Sequence, residues 1–132
     1  MSWSARRWTG HFVFVVVPVF AGGCERGSPP RPQAAPGPTP AELSSGERLF
    51  DANCARCHGP RGSGTDQGPP LVHRIYQPNH HGDAAFQRAV ALGVVPHHWN
   101  FGPMPKVGGV SEAEVGEIVG YVRWLQRKAG IE

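Results

Sequence analysis

Cysteine and methionine are both scarce in this chain: among 132 residues there are three Cys and two Met, one of them the initiator. Three thiols are too few for a dense disulfide framework. Charge is also sparse, at 17% of residues. With no basic stripe and no run of like charge, nothing suggests nucleic-acid binding or a charged docking face. Strand-like alternation is absent, which argues against a sheet, and no internal period of about 20 to 50 residues marks a repeat array. Long apolar runs are missing as well. The best candidate, residues 12–20, holds nine residues. As a helix it would span about 14 Å, against a bilayer core of about 30 Å, so it is too short to cross a membrane.

That short apolar run instead has the setting of an export signal. Arg6 and Arg7 precede it, and Ala21, Gly22 and Gly23 follow it. Residues 1–23 are therefore expected to be a cleaved signal peptide. The next residue is Cys24, and a cysteine directly after small residues resembles the lipobox of bacterial lipoproteins, which would make Cys24 the lipidated residue. An ordinary signal-peptidase site is the alternative. Without Arg6 and Arg7, eleven basic residues face ten acidic ones, so the exported part is close to neutral.

Proline is concentrated just beyond. Pro29, Pro30, Pro32, Pro36, Pro38 and Pro40 lie among Gly, Ala, Ser and Gln. Such a stretch cannot bury enough surface to fold and favours extended polyproline II. Residues 24–41 are expected to be a lipid-anchored tether, and residues 42–132 one small domain. By surface-to-volume scaling a domain of that length is marginal alone.

The domain reads as helical. Ser44 or Ser45 is expected to cap a first helix through Glu47, Leu49, Phe50 and Ala52. Gly59, Pro60, Gly62 and Gly64 make residues 59–68 a loop. Asp83 is expected to cap a second helix, with Phe86, Ala89, Val90 and Leu92 on one side and Gly93 as its stop. Ser111 and Glu114 form a capping box. Beyond it Val115, Ile118, Val119, Val122 and Leu125 recur at helical spacing beside Tyr121 and Trp124, and Gly130 ends the run.

Two of the three cysteines stand in Cys54-Ala55-Arg56-Cys57-His58. Cys-x-x-Cys-His is the attachment sequence for a c-type haem. Both thiols become thioethers to the porphyrin, and the adjacent His is the proximal iron ligand. The alternatives are a redox disulfide, which lacks its βαβ context here, half of a zinc site, or a structural disulfide.

Several further motifs follow in order: Gly46 and Phe50, the haem motif with Gly59, then Gly68-Pro69-Pro70-Leu71, Met104-Pro105, and the Tyr121/Trp124 helix. Together they resemble a small monohaem class I cytochrome c over nearly all of residues 43–128. The resemblance implies an all-α fold of three to four short helices around one covalent haem c. Its N- and C-terminal helices would cross closely at Gly46, with Phe50, Tyr121 and Trp124 packed there. It also implies that Met104 supplies the second iron ligand opposite His58. The prolines flanking Met104 suit an extended ligand loop. The carbonyl of Pro69 or Pro70 would accept the Nδ1 proton of His58. Trp99 would donate its indole N–H to a haem propionate, with plain packing as the alternative.

Iron held by His58 and Met104 has both axial positions filled, which implies an electron carrier and not an enzyme. The expected partners are redox proteins of the cell envelope, a dehydrogenase as donor and a membrane oxidase or reductase as acceptor. The chain would sit on the periplasmic side of a bacterial membrane. A displaceable sixth ligand, giving a peroxidase or gas sensor, is the alternative. His80, His81, His97 and His98 are rivals to Met104, or else candidates for a second copper or zinc site. Adjacent His residues on a loop point in different directions, so neither pair is a good chelate by itself.

Overall fold

The computed structural model describes residues 37–132, and its ordered body is helical. The expected signal peptide, Cys24 and most of the tether lie outside the described residues. The tether's last residues are tied to the domain: Thr39 donates to Glu47 at 2.7 Å, and Arg61 donates to the Gly37 carbonyl at 3.1 Å.

Helix α1 spans Ser44–Asn53, preceded by a 3₁₀ turn at Ala41–Leu43. Neither Ser44 nor Ser45 caps it. Pro40 opens the turn with a fixed φ, and the turn runs directly into the helix. Ser44 is thereby drawn inside, where its hydroxyl donates to the Ala41 carbonyl. One residue separates α1 from α2, the single turn Ala55–His58 that holds the haem motif. Helix α3 spans Asp83–Leu92 and α4 spans Glu112–Lys128.

Asp83 is the first residue of α3 and not its cap. Gly82 holds the cap position, and the Asp83 carboxylate is taken instead by Arg123 at 2.8 Å. Leu92 faces water, 78% exposed. Two residues past Val90, it has rotated about 200° to the opposite face, while Phe86, Ala89 and Val90 are half-buried. Gly93 ends α3 with φ +79°.

Helix α4 carries the core. Ser111 accepts from the Glu114 N–H, and the Glu114 carboxylate accepts from the Ser111 N–H, closing the capping box. At the other end Gly130, at φ +72°, makes a Schellman turn in which Ile131 N–H reaches the Gln126 carbonyl and Gly130 N–H reaches that of Arg127. Between these stops Val115, Ile118, Val119, Tyr121, Val122, Trp124 and Leu125 are buried.

The closest helix pairing is α1 against α4. Gly46 sits at the crossing, where a Cβ would collide with the backbone of Glu117. Phe50 and Tyr121 pack at 5.6 Å between ring centroids, and Tyr121 stacks on Trp124 at 6.1 Å. The only β pairing among the described residues is an isolated antiparallel bridge between Val94 and Met104. None of the described helices is long and apolar enough to cross a membrane.

Candidate haem site

The haem-motif turn is fastened by the loop that follows it. Inside the turn, His58 N–H bonds to the Cys54 carbonyl at 2.9 Å, and Gly59, at φ +74°, breaks the helix. The chain then folds back, with Gly64 N–H on the His58 carbonyl at 2.6 Å and the Thr65 hydroxyl on the Cys57 carbonyl at 2.6 Å. Gly68 lies so close to Cys57 that a Cβ there would press on its carbonyl at 2.8 Å. The carbonyls of Cys57 and His58, left open by the end of a four-residue helix, are thus satisfied locally.

This return path delivers Pro69. Its carbonyl oxygen lies 2.8 Å from His58 Nδ1, whereas no such contact involves Pro70. A carbonyl can only accept, so Nδ1 carries the proton and Nε2 keeps a free lone pair. Burial holds the His58 pKa below its ordinary value, against the opposing pull of the Pro69 hydrogen bond. The ring is therefore a neutral, oriented imidazole, the form that binds a metal.

The thiols argue against redox or zinc chemistry. Burial, followed by the neighbouring Cys57, pushes the Cys54 thiol up to about 11, whereas a redox Cys-x-x-Cys depends on a lowered thiol pKa. Both cysteines are free and half-buried. The one group of three metal-type donors that converges among the described residues lies elsewhere, at His80, His81 and His98. The donor set of this turn, two thiols and one neutral imidazole, fits a covalently attached haem.

A second observation fits the same group. Trp99 Nε1 is buried with no hydrogen-bond partner. It is near enough to the Tyr76 hydroxyl to oppose the upward push that burial gives that group, but the geometry does not complete a bond. A buried indole N–H without an acceptor costs about 1–3 kcal/mol, and a haem propionate would satisfy it. The Trp99 ring packs edge-on against His73 at 5.0 Å and lies 6.3 Å from Phe101.

Met104 is half-buried in an extended segment. Its N–H and C=O both pair with Val94, at 3.0 and 2.9 Å. The bridge closes a loop whose interior carries His97, His98 and Trp99.

Arg123 and Gln126 gave no signal in the sequence, because a lone Arg and Gln within an amphipathic helix read as its solvated face. Both are buried. Arg123 donates to Asp83 at 2.8 Å, to the Tyr76 carbonyl at 2.6 Å, to Gln126 at 2.7 Å and to the His81 carbonyl. Gln126 reaches the carbonyls of Leu71 and Tyr76. Together they tie α4 to the 71–83 segment, which begins two residues after Pro69.

An all-helical body with an oriented imidazole beside two thiols defines a c-type haem protein. Residues 43–126 match the family model for cytochrome c, and the chain belongs to that family. Haem c, covalently bound, is its cofactor. The cytochrome bc1 complex cytochrome c subunits of Mycobacterium bovis and Mycobacterium tuberculosis are each 30% identical to it over 122 residues, covering 89% of this chain and 41% of theirs. The chain thus spans about two fifths of the length of the curated relatives it matches. No solved structure matches.

Proposed function

We propose that this chain is an exported, lipid-anchored electron carrier whose haem hangs on Cys54 and Cys57, with His58 and Met104 as axial ligands. The group supplies a one-electron Fe(III)/Fe(II) couple. The observation that carries the reading is the His58–Pro69 pair, because it presents Nε2 as a fixed, neutral donor beside two thiols. The Pro69 carbonyl sets the tautomer and raises the basicity of the ligand. Met104 would close the opposite side: its main chain is pinned to Val94 and its flanking prolines keep the segment extended. A thioether ligand favours the reduced state relative to a second imidazole. Trp99 would donate to a propionate and fix the haem's orientation.

Partners would be redox proteins of the cell envelope, a dehydrogenase as donor and a membrane oxidase or reductase as acceptor. The names of the mycobacterial relatives support a bc1-type complex among them. Residues 1–23 would be removed on export, Cys24 would carry the lipid, and residues 24–41 would let the domain on the periplasmic side swing between partners.

The spectrum of the oxidised protein tests this. A far-red sulfur-to-iron band is expected, and Met104→Ala should abolish it and lower the reduction potential. A high-spin spectrum in the unaltered protein, or a band that survives Met104→Ala, would overturn the ligand assignment.

A further inference from the structure

Four of the five histidines that follow the haem motif converge, although they come from two segments. His80 and His81 lie on the turn before α3, and His97 and His98 lie in the loop closed by the Val94–Met104 bridge. Donor nitrogens of His80, His81 and His98 all lie within 4.8 Å of one another. His80 Nε2 and His98 Nε2 are 3.3 Å apart. Two nitrogens bound tetrahedrally to zinc at about 2.0–2.1 Å stand roughly 3.3 Å from each other.

We propose that His80, His81 and His98 form a site, separate from the haem iron, for a divalent late transition metal, Zn(II) or Cu(II). Without the metal, the His80–His98 spacing is that of an N–H···N hydrogen bond between two imidazoles. The cation takes the place of the shared proton.

The ligands are already oriented. His81 Nδ1 lies 2.6 Å from the Ile75 carbonyl, so Nδ1 holds the proton and Nε2 faces outward as the donor. A carbonyl behind a ligating imidazole is the usual device for fixing its tautomer and direction. The main chain beneath is held too: the N–H groups of His80 and His81 both bond to the Gln77 carbonyl, and buried Arg123 grips the His81 carbonyl. His97 stands beside the trio, its ring stacked on His81 at 5.8 Å and its Nδ1 3.1 Å from the Val95 carbonyl.

The donor set selects the metal. Three imidazoles without a carboxylate suit zinc or copper, whereas calcium and magnesium require oxygen ligands. His80 and His98 are exposed, which leaves water to complete the coordination. Partial desolvation, and then the nearby His97, His81 and His80, hold the His98 pKa below its ordinary value.

Metal uptake by the full-length, haem-loaded protein tests the site, with ZnCl2 and CuCl2 offered separately in equilibrium dialysis. One equivalent of either metal is expected, with affinity at least tenfold weaker in His80→Ala and in His98→Ala. Both variants should keep the haem spectrum of the parent, which separates this site from the iron ligands. No stoichiometric uptake of either metal, or uptake equal in parent and both variants, overturns the proposal. So does a changed far-red band in His98→Ala, which would make His98 an iron ligand.

Discussion

A methyl group at position 46 would meet the carbonyl of Glu117 across the α1–α4 crossing. A side-chain neighbour could turn away, but the backbone of a helix cannot. Gly46→Ala gains about 1 kcal/mol of helix propensity and is still expected to destabilise, because overpacking against fixed atoms costs about 1–3 kcal/mol. Urea unfolding of the haem-loaded protein should show a lower midpoint with an unchanged slope. Pro69 works at the same scale. One carbonyl, 2.8 Å from Nδ1, decides which nitrogen of His58 is available. The choice between Pro69 and Pro70 was open in the sequence because either carbonyl can accept. The Gly59–Gly68 return path settles which one arrives.

Among the elements, α4 was legible almost residue by residue. Its capping box, apolar spacing and terminal Gly130 are local signals, and local signals survive folding. The starts of α1 and α3 were misread for one reason: a tertiary or neighbouring contact outbid the cap. Pro40 began the first helix early, and Arg123 claimed the Asp83 carboxylate. Arg123 itself was invisible because all its partners except Gln126 lie 40 or more residues away in sequence. Replacing it tests its weight. Arg123→Met leaves the His81 carbonyl without its donor, and a buried group left unsatisfied costs about 1–3 kcal/mol. Asp83 is largely exposed, so Asp83→Asn should cost less than about 1 kcal/mol. Thermal melts of the two variants would show whether the weight lies on the carbonyls or on the ion pair. Equal losses would assign it to the ion pair.

At the scale of the whole molecule, the two ends of the domain are joined by Tyr121. It is fully buried in the α1–α4 crossing, and its hydroxyl donates to Glu47 at 3.2 Å. Burial, and then the Glu47 carboxylate, push the Tyr121 hydroxyl from 10.0 up to about 12. The unfolded chain therefore releases this proton first. Stability from the neutral phenol is complete below pH 10 and drains away as the pH rises toward about 12. Denaturant midpoints across that range should fall, and Tyr121→Phe should fall less steeply. An equal slope would place the alkaline sensitivity elsewhere. The histidine cluster also belongs to this scale. Its members were each visible in the sequence, but His80 and His98 are 18 positions apart, and only the folded chain brings them together.

Gly93 adds a consequence for how this protein can change over generations. At φ +79° it turns the end of α3 back against the Met104 segment, and a Cβ there would press on the Met104 carbonyl and the Lys106 N–H. A change at position 93 therefore shifts the placement of a side chain eleven positions further on. The last joint of α3 is thus bound to the residue proposed to face the iron. The two positions are expected to be inherited as a pair.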